Sequence, residues 1–80
     1  MNIAEAQEVK HFLLQSHDQY RELAQRHHQL DDRLHELIEK HHLSDSEQVE
    51  ETTIKKRKLA LKDRMEQIVV EWTREHPSTS

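Results

Sequence analysis

No glycine occurs anywhere in the eighty residues, and the single proline, Pro77, stands almost at the end. Tight turns draw on glycine for positive φ, so a chain without it is confined to long elements joined by few connections. β-rich architectures, which also need β-branched runs, are thereby excluded. Cysteine is absent too, which rules out a disulfide scaffold and a zinc–cysteine module. What remains is an all-α chain. Charged residues make up 35% and hydrophobic residues 32%, so its helices carry only a thin apolar stripe. So little chain is available to wall off a dry pocket that the expectation is a protein that is not an enzyme.

The stripe can be followed along the chain. Val9 and Leu13 are followed by Tyr20, Leu23, His27, Leu30, Leu34, Leu37 and His41, at the threes and fours that line one face of a helix. Ser16 interrupts the series. Ser16-x-x-Gln19 has the form of a capping box, which predicts a short helix over about residues 2–14, with a stripe of Ile3, Ala6, Val9 and Leu13, and a first long helix over 17–42. Ser44-x-x-Glu47 is a second capping box, so residues 43–45 read as a turn and a second long helix runs over 46–75. Ile54, Leu61, Met65, Ile68 and Trp72 form its stripe. Residues 76–80 read as a disordered tail, because the position before a proline is steered away from the helical region.

So short a turn suits antiparallel neighbours. Folding the two long helices back pairs positions whose numbers sum to about 88. The expected architecture is an antiparallel, coiled-coil-like helical hairpin with a short N-terminal helix. Its core seam consists of Tyr20, Leu23, Leu30, Leu34, Leu37, Ile54, Leu61, Met65, Ile68 and Trp72, with Phe12 and Leu13 covering Trp72 and Val69 at the open end. One seam against some seventy ordered residues leaves a narrow margin of stability. The hairpin is therefore expected to self-associate into a helical bundle, most simply a homo-dimer, with Leu59, Val69 and Val70 as candidates for a second contact face.

Net charge is −4, which gives no overall attraction to nucleic acid or to acidic lipid. The distribution is uneven, since residues 54–64 hold six bases against one acid. Neither a signal-peptide pattern nor a basic, aromatic-belted amphipathic face for a membrane is present. With no cysteine for an oxidising compartment to act on, a cytoplasmic location is expected.

Two segments of the paired helices are familiar. His27-x-x-Leu30-Asp31-x-x-Leu34 resembles the H-x-x-L-D-x-x-I signature of the YdcH-like family, small bacterial proteins classed as a domain of unknown function. The run from Ile54 to Met65, with Lys55, Lys58, Leu59, Leu61, Lys62 and Asp63 at the matching places, is similar to that family's second signature, L-K-x-x-K-L-x-L-K-D-x-I. Leu34 and Met65 stand where isoleucine is commoner. The likeness spans about Leu13 to Val70 and implies a cytoplasmic bacterial helical hairpin with a break before the first long helix. It implies no activity, substrate or catalytic residue.

The hairpin register draws several matched polar residues together. Asp31 is placed to reach Lys58 and His27 to reach Asp63, with Lys62 beside them. These five read as interhelix groups that fix register, as polar seam residues do in coiled coils, in preference to an acid–histidine site. Charging His27 and His41, both on the seam, is expected to loosen packing at mildly acid pH. His28, Asp32, His35, Glu39 and His42 repeat at fours and threes, a spacing able to offer a divalent metal its ligands. A solvated face is the favoured reading of that stripe, so no metal and no cofactor is expected. The basic cluster Lys55-Lys56-Arg57-Lys58 is the alternative, a nucleic-acid surface. Its side chains fan around the helix without an aromatic to stack on bases, which favours a protein-interaction or accessory module whose partners are itself and another protein.

Overall fold

The computed structural model describes residues 3–76, as three helices: α1 (Ile3–Ser16), α2 (Asp18–Ile38) and α3 (Asp45–Glu75). No strand occurs among the described residues. The expected helix start at residue 2, the side chain of Ile3 and the tail at 77–80 lie outside what is described.

The break between α1 and α2 is a single residue, and the residue that caps α2 differs from the expected one. Ser16 ends α1, and its hydroxyl donates to the Phe12 carbonyl at 2.8 Å. His17 caps α2 instead, in extended conformation, its Nδ1 accepting from the Tyr20 N–H at 3.0 Å. The reason is that the His17 N–H still bonds to the Leu13 carbonyl. The serine therefore remains inside the hydrogen-bonding of α1 and bonds backwards along it.

α2 ends at Ile38, four residues short of the expected 42, and α3 begins at Asp45. The connection between them coils where helix was expected. Two contacts explain this: the Lys40 ammonium reaches Glu47, and Leu43 packs against the cluster of Leu34, Leu37 and Ile54. A helix continued through His42 would carry Lys40 and Leu43 away from those partners. Ser44 caps α3, accepting from the Glu47 N–H while the Glu47 carboxylate accepts from the Ser44 N–H. No described residue adopts positive φ, so this connection dispenses with glycine.

α3 packs along α2, and their contacts run in opposite order along the two helices. Tyr20 clusters with Ile68, whereas Leu34 and Leu37 cluster with Ile54. The body is elongated, 53 × 21 × 18 Å, with its buried apolar residues in two groups. At one end lie Leu34, Leu37 and Ile54, with Leu30 and Leu43 packed against them. At the other, α1 brings Leu13 to Tyr20, Ile68 and Val69, flanked by Val9, Leu23, Met65 and Trp72. Phe12 lies 5.4 Å from Trp72, ring to ring.

Three expectations are corrected here. Val69 is 5% exposed beneath Leu13, the cover expected of α1, and so is withdrawn from the second contact face. His41 falls in the connection and is exposed rather than on the seam. His76 is an ordered C-cap, its N–H bonded to the Trp72 carbonyl and its ring stacked on Trp72 at 4.4 Å.

Leu37 is 0% exposed while Val49, on the same half of the molecule, is 66% exposed. Leu37→Ala is therefore expected to cost about 2–5 kcal/mol in urea unfolding, and Val49→Ala no more than about 0.5 kcal/mol. Equal costs for the two would contradict this core.

Candidate functional site

The apolar signature residues Leu34 and Ile54 belong to one cluster and Met65 flanks the other, while the polar ones meet between them. From α2, Asp31 projects beside Leu30 and Leu34; from α3, Lys58 projects one turn from Ile54 and Leu61. The Lys58 ammonium donates to Asp31 Oδ1, and the pair is only 22% and 34% exposed. His35 adds to it one turn along α2, its Nδ1 lying 2.9 Å from the Asp31 carbonyl oxygen and 3.6 Å from Asp31 Oδ2. The hydrogen bond from Lys58 is the main reason that the Asp31 carboxyl sits below its ordinary range, with the charges of Lys58, His35 and His27 adding to it.

Two further contacts continue this polar line towards the connection. Arg33 donates from Nε and Nη2 to the two carboxylate oxygens of Glu50, at 2.8 and 2.9 Å, and from Nη1 to Glu36 at 2.9 Å. This two-pronged contact specifies geometry as well as charge. It depresses the Glu50 carboxyl and raises the Arg33 guanidinium. Lys40, followed by the backbone and hydroxyl of Ser44, holds the Glu47 carboxyl down at about 2.

The other sequence candidates are placed differently. Asp63 is exposed and has no ion-pair partner among the described residues, so the expected His27–Asp63 contact is absent. Asp63 turns outward because it stands five residues from Lys58, about 140° round the helix from the side that meets α2. His27 and Lys62 instead line an open groove of about 520 Å³, together with Lys10, Tyr20, Lys58, Leu59, Met65 and Glu66. Burial, followed by the charge of Glu66, pushes the Tyr20 phenol above its ordinary value.

The histidine stripe is divided. His28 lies 3.5 Å from Asp32, whereas His35 turns to Asp31. Glu39 and His42 fall beyond the end of α2, where helical spacing no longer holds them in line. No group of three or more histidine, aspartate or glutamate side chains able to hold a metal ion is found among the described residues. In the basic cluster, Lys55 pairs with Glu51 and Lys58 with Asp31, while Arg57 faces a second groove beside Arg26, Leu30 and Leu61. The Arg33–Glu50 contact escaped the sequence reading. The register does not point to it, since 33 and 50 sum to 83 and not to about 88, and only the opposite charges could have suggested the pair.

The family described as "Protein of unknown function (DUF465)" matches residues 21–69, more than half of the chain, and both signature segments lie within the match. The chain belongs to that family, in keeping with its resemblance to YdcH-like proteins. No curated protein and no solved structure matches the chain.

Acid stability follows from the three depressed carboxyls. Each has a folded-state value below its unfolded one of about 4. Its contribution is therefore complete above about pH 5 and is lost as pH falls through the folded value, which for Glu47 is about 2. The melting temperature is expected to decline between about pH 5 and pH 2, and less steeply in Glu47→Gln and Asp31→Asn. A melting temperature constant across that window would contradict the assignment. Asp63→Asn, by contrast, should leave the melting temperature unchanged.

Proposed function

We propose that this member of the family is a small interaction module, a helical hairpin that acts by helix–helix contact with a second copy and with another protein. Catalysis has no part in this reading. The observation that carries it is the balance of apolar side chains. Seven are buried, whereas six large ones (Phe12, Leu14, Ile38, Val49, Leu59 and Val70) stand at least 40% exposed among the described residues. A chain with so small a core gains from covering more apolar surface, and exposed apolar groups rimmed by charge are characteristic of protein-binding faces. Charged neighbours then select the partner and its orientation.

No described helix is long and apolar enough to cross a membrane, which is compatible with a partner in solution. The nucleic-acid alternative is weakened by the carboxylates that already engage Lys55 and Lys58. A phosphate-binding surface would also lose affinity steeply with salt, and association through apolar anchors would not.

Light scattering over a concentration series at neutral pH is expected to give a molar mass rising to at least twice 9.7 kDa, with little change at raised salt. A mass of 9.7 kDa throughout would overturn self-association.

A further inference from the structure

Successive residues turn by about 100° around a helix, so the thirty-one residues of α3 present more surface than α2 and α1 can cover. Lys58, Met65, Ile68 and Trp72 face α2, and Val69 takes the flank against Leu13 of α1. The flank beyond carries Leu59, Lys62, Glu66 and Val70, at spacings of three, four and four, and all four are exposed. Leu59 is 61% and Val70 53% exposed, and the two lie about 16 Å apart along one line of the helix. Neither Lys62 nor Glu66 has an ion-pair partner among the described residues. Asp63 borders this line on the side away from Lys62, about 20° round from Val70 and about 60° from Glu66.

The order of groups on this flank is apolar, cationic, anionic, apolar. Read backwards it is apolar, anionic, cationic, apolar, which is the complement of itself. We propose that two copies associate through this face, α3 against α3 in opposite directions, about a two-fold axis level with Arg64 and Met65. This rests on the interaction reading above, with a second copy of this chain covering the face. In this register Leu59 lies level with the partner's Val70, and Lys62 lies within one residue's rise, about 1.5 Å, of the partner's Glu66. Each contact occurs twice, as a self-complementary two-fold interface requires. A parallel arrangement would set lysine against lysine and glutamate against glutamate, so charge selects the antiparallel one.

Charge exchange between two variants tests the register. Lys62→Glu and Glu66→Lys each place like charges across the axis, and each is expected to halve the molar mass to 9.7 kDa, with helicity by circular dichroism unchanged. An equimolar mixture restores opposite charges at both contacts and is expected to return to twice that mass. Because repulsion within one helix is the same alone and mixed, recovery on mixing reports contact between chains. The cysteine-free sequence allows a second check, in which Leu59→Cys and Val70→Cys form a disulfide-linked dimer on oxidation when mixed and not separately. A wild-type dimer that persists in both charge variants, or Leu59→Cys linking efficiently to itself, overturns this face and leaves the interaction reading standing. A wild-type chain of 9.7 kDa at all concentrations overturns both.

Discussion

The packing of Leu37 against Leu34 and Ile54, reinforced by Leu43 from the connection, is the constraint on which the arrangement of α2 and α3 depends. Without glycine a tight left-handed turn is costly, and no described residue adopts positive φ. The chain reverses instead through a six-residue connection in which every φ is negative. Such a connection does little by itself to fix the angle or register of the helices it joins. Apolar burial immediately beside it does, together with the capping of α3 by Ser44 and the reach of Lys40 to Glu47. α1 performs the corresponding task at the far end, where Leu13 closes the space between Tyr20, Ile68 and Val69.

Between these two anchored ends the helices meet where apolar burial is least, and polar contacts take over. Arg33–Glu50 and Asp31–Lys58 are cross-helix pairs with moderate exposure. As surface pairs they add little to stability. Their larger effect is on register, because a shift of either helix by one residue rotates its side chains by about 100° and separates Asp31 from Lys58. Apolar side chains tolerate such slippage better than a two-pronged guanidinium–carboxylate contact does.

The all-α class and the seam residues were legible in the sequence because they follow from periodicity alone. Tyr20, Leu34, Leu37, Ile54 and Ile68 are buried, and Leu23, Leu30, Leu61, Met65 and Trp72 partly so. What escaped depended on a third body or on local competition. Val69 is buried beneath Leu13 of α1 as expected, and what failed was offering it to a second contact face as well, which the third helix closes. Ser16 and His17 are both able to cap a helix, and the hydrogen bond from His17 N–H to Leu13 decided between them. The end of α2 was obscured because His41 and His42 continue the helical spacing, while the gain from Lys40–Glu47 and from burying Leu43 becomes visible only once α3 is in place. At the polar site, the register arithmetic served for Asp31 and Lys58, but for His27 and Asp63 it ignored which way Asp63 points.

The segment that resembles the second family signature divides between two surfaces of one helix, and this division gives its alternation of lysine and apolar residues a physical sense. Ile54, Lys58, Leu61 and Met65 stand at spacings of four, three and four and face α2, with the lysine taken up by Asp31. Lys55, Leu59 and Lys62 stand at four and three on the adjacent flank, exposed, and lead on to Glu66 and Val70. A helix with a single buried stripe would need only the first set and could be polar elsewhere. Leu59 has no such excuse, since it packs into neither cluster and offers apolar surface to solvent beside two lysines. Its position on the self-complementary line with Lys62, Glu66 and Val70 accounts for it. In the proposed dimer one face of α3 holds the chain together and the next holds two chains together, with Lys58 and Lys62, four residues apart, as the cation of each.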